Sequence, residues 1–225
     1  MKPNHQIVTV WLTLVGVAMF ADIAQSAPKG GAVKGTVNIL TKGAARKDRS
    51  GVLVYLEGVP GVPPKQKNAT VRQREKQFDP PVTIVVKGTT VDFPNEDKIF
   101  HNVFSVSRPA RFDLGLYKSG AMKSVEMKRA GTIDVYCNIH PDMVAKVKVV
   151  DNAFYTMTDK AGAFAIDGVP PGEYPIFAWL PSGDEVAGKV VIKSGEAATV
   201  ELSVSEVANK ATHTRKDGTP YGRYK

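Results

Sequence analysis

The chain predicts an all-β protein. Short runs of Val, Ile, Thr, Tyr and Phe recur along it, separated by clusters of Gly, Pro, Asn and Asp. After the first 26 residues, no stretch of helical length repeats its apolar positions with a helical period. Many of the runs alternate apolar and polar residues, as a half-buried strand does. In chain order the expected strands are 33–39, 52–56, 82–86, 90–93, 132–136, 144–150, 163–166, 174–179, 188–192 and 198–204.

The first 26 residues form a different kind of segment. Lys2 and His5 precede an apolar run over 7–20, and Ala24 and Ser26 put small residues at the −3 and −1 positions of a cleavage site. This is the layout of a secretory signal peptide, with an uncleaved anchor as the alternative. The run is short for a bilayer span and Asp22 follows it, so no stable membrane span is expected after cleavage. The expected compartment is the periplasm. Removing 1–26 takes away one Lys and one Asp, so the net charge stays near +8. A basic surface of this kind suits a redox partner with an acidic docking face. It carries no aromatic-basic motif of a nucleic-acid module.

The sequence divides at its composition shifts. Residues 27–58 hold two strands, 59–69 read as a Pro- and Lys-rich linker, and 70–151 form one strand-rich unit. Residues 152–205 form another, and 206–225 read as a basic, disordered tail. Asn68-Ala69-Thr70 also matches a glycosylation triplet, a weak signal.

The chemistry concentrates in one stretch. Cys137, the single cysteine, is followed by His140 and Met143 at i+3 and i+6. One cysteine makes no internal disulfide, so it is inert, paired with another chain or committed to chemistry. Upstream, Phe93-Pro94-Asn95 leads to His101. Of the 4 histidines, His5 lies in the leader and His213 in the tail, which leaves His101 and His140 as imidazole ligands. Two His, one Cys and an outlying Met are the ligand set of a blue-copper site. Asp113 and Tyr117 offer oxygen donors between the ligand groups, but these are harder than such a site favours. Phe112, Leu114 and Leu116 are expected to pack inward.

These residues resemble the cupredoxins, and are similar to the small amicyanin and plastocyanin type. The resemblance covers about 70–151. Its motifs are Gly88-Thr89-Thr90-Val91, Phe93-Pro94-Asn95, His101-Asn102-Val103, Ala130-Gly131-Thr132 and the run Tyr136 to Met143. It implies a Greek-key β-sandwich, with His101, Cys137 and His140 as equatorial copper ligands and Met143 as the weak axial one. It also implies that Asn102 ties the two ligand loops together. His140, flanked by Ile139 and Pro141, would be the electron port and docking patch. The short Cys-x-x-His-x-x-Met spacing is the amicyanin one.

A second resemblance lies in the flanks. Thr158 to Ile166, Val169-Pro170-Pro171-Gly172 and Ala178-Trp179 resemble the carboxypeptidase regulatory-like, transthyretin-like β-sandwich. That family's opening strands look like 31–37 and 51–55, so the copper unit is read as inserted after the second strand. The alternative gives 52–56 to the copper unit. Asp159 and Asp167 are read as turn residues rather than calcium ligands.

The function expected is that of an exported type 1 copper protein carrying single electrons. A copper-handling protein and an envelope interaction protein are the alternatives. No enzyme is expected, since neither a His-x-x-Glu site nor a Gly-x-Ser-x-Gly elbow is present.

Overall fold

The computed structural model describes residues 29–207 and 214–220. The expected signal segment, and 208–213 and 221–225 of the expected tail, lie outside the described residues. Among the described residues there is no helix, and so none long and apolar enough to cross a membrane.

The protein is all-β. The chain begins with β1 (Gly31–Thr41), β2 (Ala44–Ala45) and β3 (Leu53–Leu56). It continues through β4 (Ala69–Thr70), β5 (Arg72–Arg74), β6 (Gln77–Asp79), β7 (Val82–Val86) and β8 (Thr90–Pro94). Next come β9 (His101–Ser105), β10 (Phe112–Tyr117), β11 (Met122–Glu126), β12 (Gly131–Tyr136) and β13 (Val144–Val150). Last are β14 (Tyr155–Met157), β15 (Ala163–Val169), β16 (Gly172–Trp179), β17 (Glu185–Ile192) and β18 (Ala197–Ser205).

These strands build two sandwiches. The outer one faces a sheet ordered β15-β1-β18, with β2 on β1, against one ordered β14-β3-β16-β17. Its core holds Val33, Val37 and Ile39 of β1, Val54 and Leu56 of β3, and Ile176 and Ala178 of β16. The central sandwich sets β10-β9-β12-β13-β7 against β11-β8-β4. Val91 and Phe93 from one sheet meet Ile133, Val135 and Val147 from the other. Thus β1 and β3 pair only with strands that follow β13 in the chain, apart from the short β2. The strand 53–56 pairs with β14 and β16, not with the central sandwich.

Every strand expected from the sequence is present, and the additional ones explain themselves. All of β9 is buried, including His101, Asn102 and Ser105, so its sequence shows no alternation. In β10 a bulge between Asp113 and Leu116 breaks the register with β9, and Gly115 has a φ of 63°. The bulge also corrects one expectation. Phe112 and Leu114 pack on the central core, but Leu116 is 58% exposed because the extra residue turns its side chain outward. The stretch 59–69 is held in place rather than free: Val59 is buried in the outer core, and Gln66 Oε1 accepts the Val86 N–H at 3.2 Å.

Two features fix the geometry. Gly35 lies opposite Val200 in the parallel pairing of β1 with β18, and a Cβ there would sit 1.7 Å from the Val200 carbonyl oxygen. The second is the seam between the sandwiches. Leu53 and Tyr55 of β3, Trp179 of β16, Val86 of β7 and Val150 of β13 form a separate apolar cluster. Lys148 of β13 is 2% exposed within this seam. Its ammonium lies 5.0 Å from the Tyr55 ring centre and 5.4 Å from that of Trp179, and pairs with Glu185. Tyr55 donates its hydroxyl to the same Glu185 at 2.5 Å and stacks on Phe177 at 5.1 Å. Burial and the neighbouring Glu185 carboxylate hold the Tyr55 phenol well above its ordinary range.

Gly35→Ala is expected to destabilise the protein by about 1–3 kcal/mol, because β18 must move off β1. Thermal denaturation reads this as a lower midpoint. Lys148→Ala leaves Glu185 and two aromatic faces without their cation, an expected loss of about 1–3 kcal/mol. Calorimetry checks it, with the two sandwiches beginning to unfold separately.

Candidate metal centre

The site is built by strand pairing. Tyr136 of β12 lies opposite Phe104 of β9, so the residues after β12 run alongside the start of β9. Cys137, next after Tyr136, therefore comes beside His101, although 36 residues separate them. A turn then brings the chain back. The Met143 N–H donates to the His140 carbonyl at 3.1 Å, and the Cys137 N–H to the Met143 carbonyl at 3.2 Å. Pro141 sits second in this turn, where its fixed φ is favourable.

Three ligand atoms converge. The Sγ of Cys137 is 3.8 Å from His101 Nδ1 and 3.8 Å from His140 Nδ1. The two rings lie 4.9 Å apart at an interplanar angle of 64°. All three ligand atoms fall within 4.8 Å of one another. His101 and Cys137 are fully buried, and His140 is half-buried. Met143 is fully buried on the same loop, in the core cluster that contains Cys137.

Two imidazole nitrogens and one thiol sulfur this close together make a soft His2Cys donor set, of the kind that suits copper or zinc.

Protonation is prepared for ligation. His101 Nε2 lies 2.7 Å from Asp97 Oδ2. Burial pushes the Asp97 carboxyl up, but the backbone N–H groups of Lys76 and Glu75 and the His101 ring outweigh it and hold it below the ordinary range. A hydrogen bond from Nε2–H to the ionised Asp97 would leave the Nδ1 lone pair facing Cys137 when a metal is held there. Burial works against the charged form of His101, yet Cys137 and Asp97 raise its pKa overall. The opposite holds at His140, whose pKa is lowered, first by burial and then by the His101 and Lys76 side chains nearby. At Cys137 burial opposes the thiolate. The His101 ring and the backbone donors near Asn102, Ile139 and His140 nevertheless bring the thiol below its ordinary value.

The remaining expected residues are placed as follows. Asn102 Oδ1 accepts the Asn138 N–H at 3.2 Å, which joins β9 to the Cys137 loop. Ile139 donates its N–H toward Cys137 Sγ at 3.5 Å, and Ile139 and Pro141 flank His140, both half-buried. Asp113 and Tyr117 turn to other partners. Asp113 accepts from Asn102 at 2.7 Å and pairs with Lys216. Tyr117 donates its hydroxyl to the Phe93 carbonyl at 2.9 Å and contacts Gln73.

Asp97 is the functional residue the sequence reading passed over. It sits in the polar turn Asn95 to Lys98, where an Asp reads as an ordinary turn former. The available signal was a carboxylate four residues before a ligand candidate. Asn95, 1% exposed, anchors the turn through the Ile99 carbonyl at 2.9 Å and the Tyr117 carbonyl at 3.1 Å.

No family model and no curated protein matches the chain. Among solved structures it is similar to the copper-containing nitrite reductase of Thermus scotoductus SA-01, with 26% identity over 38% of this chain and 23% of that one, at a TM-score of 0.36. It is similar to a purple cupredoxin from Nitrosopumilus maritimus, with 22% identity over 36% of this chain and 98% of that one, at a TM-score of 0.33. A reduced amicyanin variant is similar at 29% identity over 36% of this chain and 81% of that one, at a TM-score of 0.34.

Asp97→Ala is expected to weaken metal binding about 10–100-fold, because His101 loses the partner that fixes its tautomer. Asp97→Asn, which keeps an acceptor, should lose less. Competition titration with a chelator of known affinity measures both.

Proposed function

We propose that this chain is an exported type 1 copper protein that carries single electrons. The observation that supports this best is the convergence of Cys137 Sγ on both Nδ1 atoms, of His101 and His140, at 3.8 Å each. His101, Cys137 and His140 would hold the ion, with Met143 as a weaker sulfur donor. Copper there would supply a one-electron couple between Cu(I) and Cu(II).

The chain's own residues serve that couple by staying still. Asp97 fixes the His101 ring, Asn102 ties the ligand strand to the ligand loop, and the Pro141 turn restricts the loop. Little then has to move when the site's charge changes. Half-buried His140, between Ile139 and Pro141, is the natural exit for the electron. A thiolate buried this deeply favours a carrier over a copper-handling protein, which needs open, exchangeable sulfur ligands. The reading assigns no catalytic step to this chain.

The leader supports a periplasmic location, and the net charge of +8 supports a redox partner with an acidic docking face. The outer sandwich, read as transthyretin-like, would serve as a rigid carrier for the copper unit.

The test is a visible absorption spectrum of the purified, copper-loaded protein beside Cys137→Ser. The expected outcome is an intense band near ~600 nm in the parent and none in the variant, as a Cu(II)–thiolate bond requires. A colourless, copper-loaded parent after oxidation would sink the carrier reading and bring copper handling forward.

A further inference from the structure

Lys216, in the C-terminal tail, reaches the ligand loop. Its backbone N–H donates to Asn138 Oδ1 at 2.9 Å. Its ammonium pairs with Asp113 Oδ2 at 2.7 Å. The segment around it is folded on itself. The Arg215 N–H donates to the Thr219 carbonyl at 2.8 Å, and the Gly218 N–H to the Arg215 carbonyl at 2.9 Å. Asp217 accepts from the Thr219 N–H at 3.0 Å and its hydroxyl at 2.6 Å.

The two residues that receive Lys216 are already linked. Asp113 Oδ1 accepts from the Asn102 amide at 2.7 Å, and Asn102 Oδ1 accepts the Asn138 N–H at 3.2 Å. Lys216 thus closes a ring of four residues: Lys216, Asp113, Asn102 and Asn138. Asn102 adjoins His101 in the chain, and Asn138 adjoins Cys137. The ring spans the strand that carries the imidazole and the loop that carries the thiolate. Only the tail enters it from outside the central sandwich.

We propose that residues 214–220 are a releasable clip, which couples the C-terminal tail to the rigidity of the metal-ligand loop. The identity of the metal rests on the reading above; the clip itself is a property of the polypeptide. Its contacts suit release. The side chains of Lys216 and Asp113 are 46% and 41% exposed, and ion pairs of that kind are weak and screened by salt. The tether raises the local concentration of Lys216 enough for weak contacts to be occupied. Coupling is reciprocal, so a metal that orders the loop also favours the closed clip, and opening the clip loosens the loop.

Four proteins test this: the full chain, Lys216→Ala, Lys216→Arg, and a chain ending at Val207, which keeps every strand of both sandwiches. The primary readout is backbone amide hydrogen exchange at Asn138 in the metal-free proteins. Release of bound copper to a chelator is the second readout. Truncation is expected to speed exchange at Asn138 by roughly fivefold, the low end of ordinary coupling, with Lys216→Ala between it and the parent. Lys216→Arg should behave as the parent, since it can pair with Asp113. Copper release should quicken in the same order. Equal Asn138 exchange in all four proteins would overturn the clip, whatever the spectrum shows. Faster exchange in a protein that never turns blue would keep the clip and remove the carrier reading.

Discussion

The structure depends on a strand with no solvent face. All four residues of β3 are buried, and its alternation distributes them between two cores. Val54 and Leu56 point into the outer sandwich, while Leu53 and Tyr55 point into the seam beneath the central one. A single short strand therefore closes one sandwich and supports the base of the other. The ends of β7 and β13 rest on its far face through Val86 and Val150. Because β13 pairs along its length with β12, and Cys137 follows β12 directly, the order of the ligand loop traces back to this seam.

The candidate metal centre adds a second constraint of the same kind. Each candidate ligand is held by contacts within the protein: His101 by Asp97, Cys137 by the Asn102 bridge and the Met143 carbonyl, and His140 by the turn that Met143 closes. Burial alone would favour a neutral thiol, and the donors around Cys137 reverse that preference. The cost of holding a lowered thiol in an apolar pocket is met by hydrogen bonds rather than by exposure to water. Lys148 solves the matching problem at the seam, where an ammonium is sheltered by two aromatic faces and one carboxylate.

Much of this was legible in the sequence where one residue type answers to one force. Alternating runs such as β1 and β13 announce a half-buried sheet, and Cys137, His140 and Met143 announce soft-metal ligation by type and spacing. The rest was illegible where a residue's neighbours come from far along the chain. Lys146 and Lys148 occupy alternate positions in β13 and read alike. The side chain of one is 31% exposed and paired with Asp134, and that of the other is 3% exposed under the outer sandwich. Asp97 reads as a turn residue because its partner ring is placed by β9, a strand whose buried polar residues hide its periodicity. Leu116 reads as core because the bulge that turns it outward depends on Gly115 and on the pairing with β9.

The split outer sandwich also imposes an order on the birth of the molecule. Val33 of β1 pairs with Ala198 of β18, a separation of 198 − 33 = 165 residues. The strands of the central sandwich are all contiguous between β4 and β13. As the chain emerges from its N-terminal end, the central unit has every partner it needs before the outer one does. During that interval β1 is an open edge, waiting for a distant strand to close a large loop, and such closures are slow. The short β2, folded back on β1 at Leu40 and Thr41, covers part of that edge from the start.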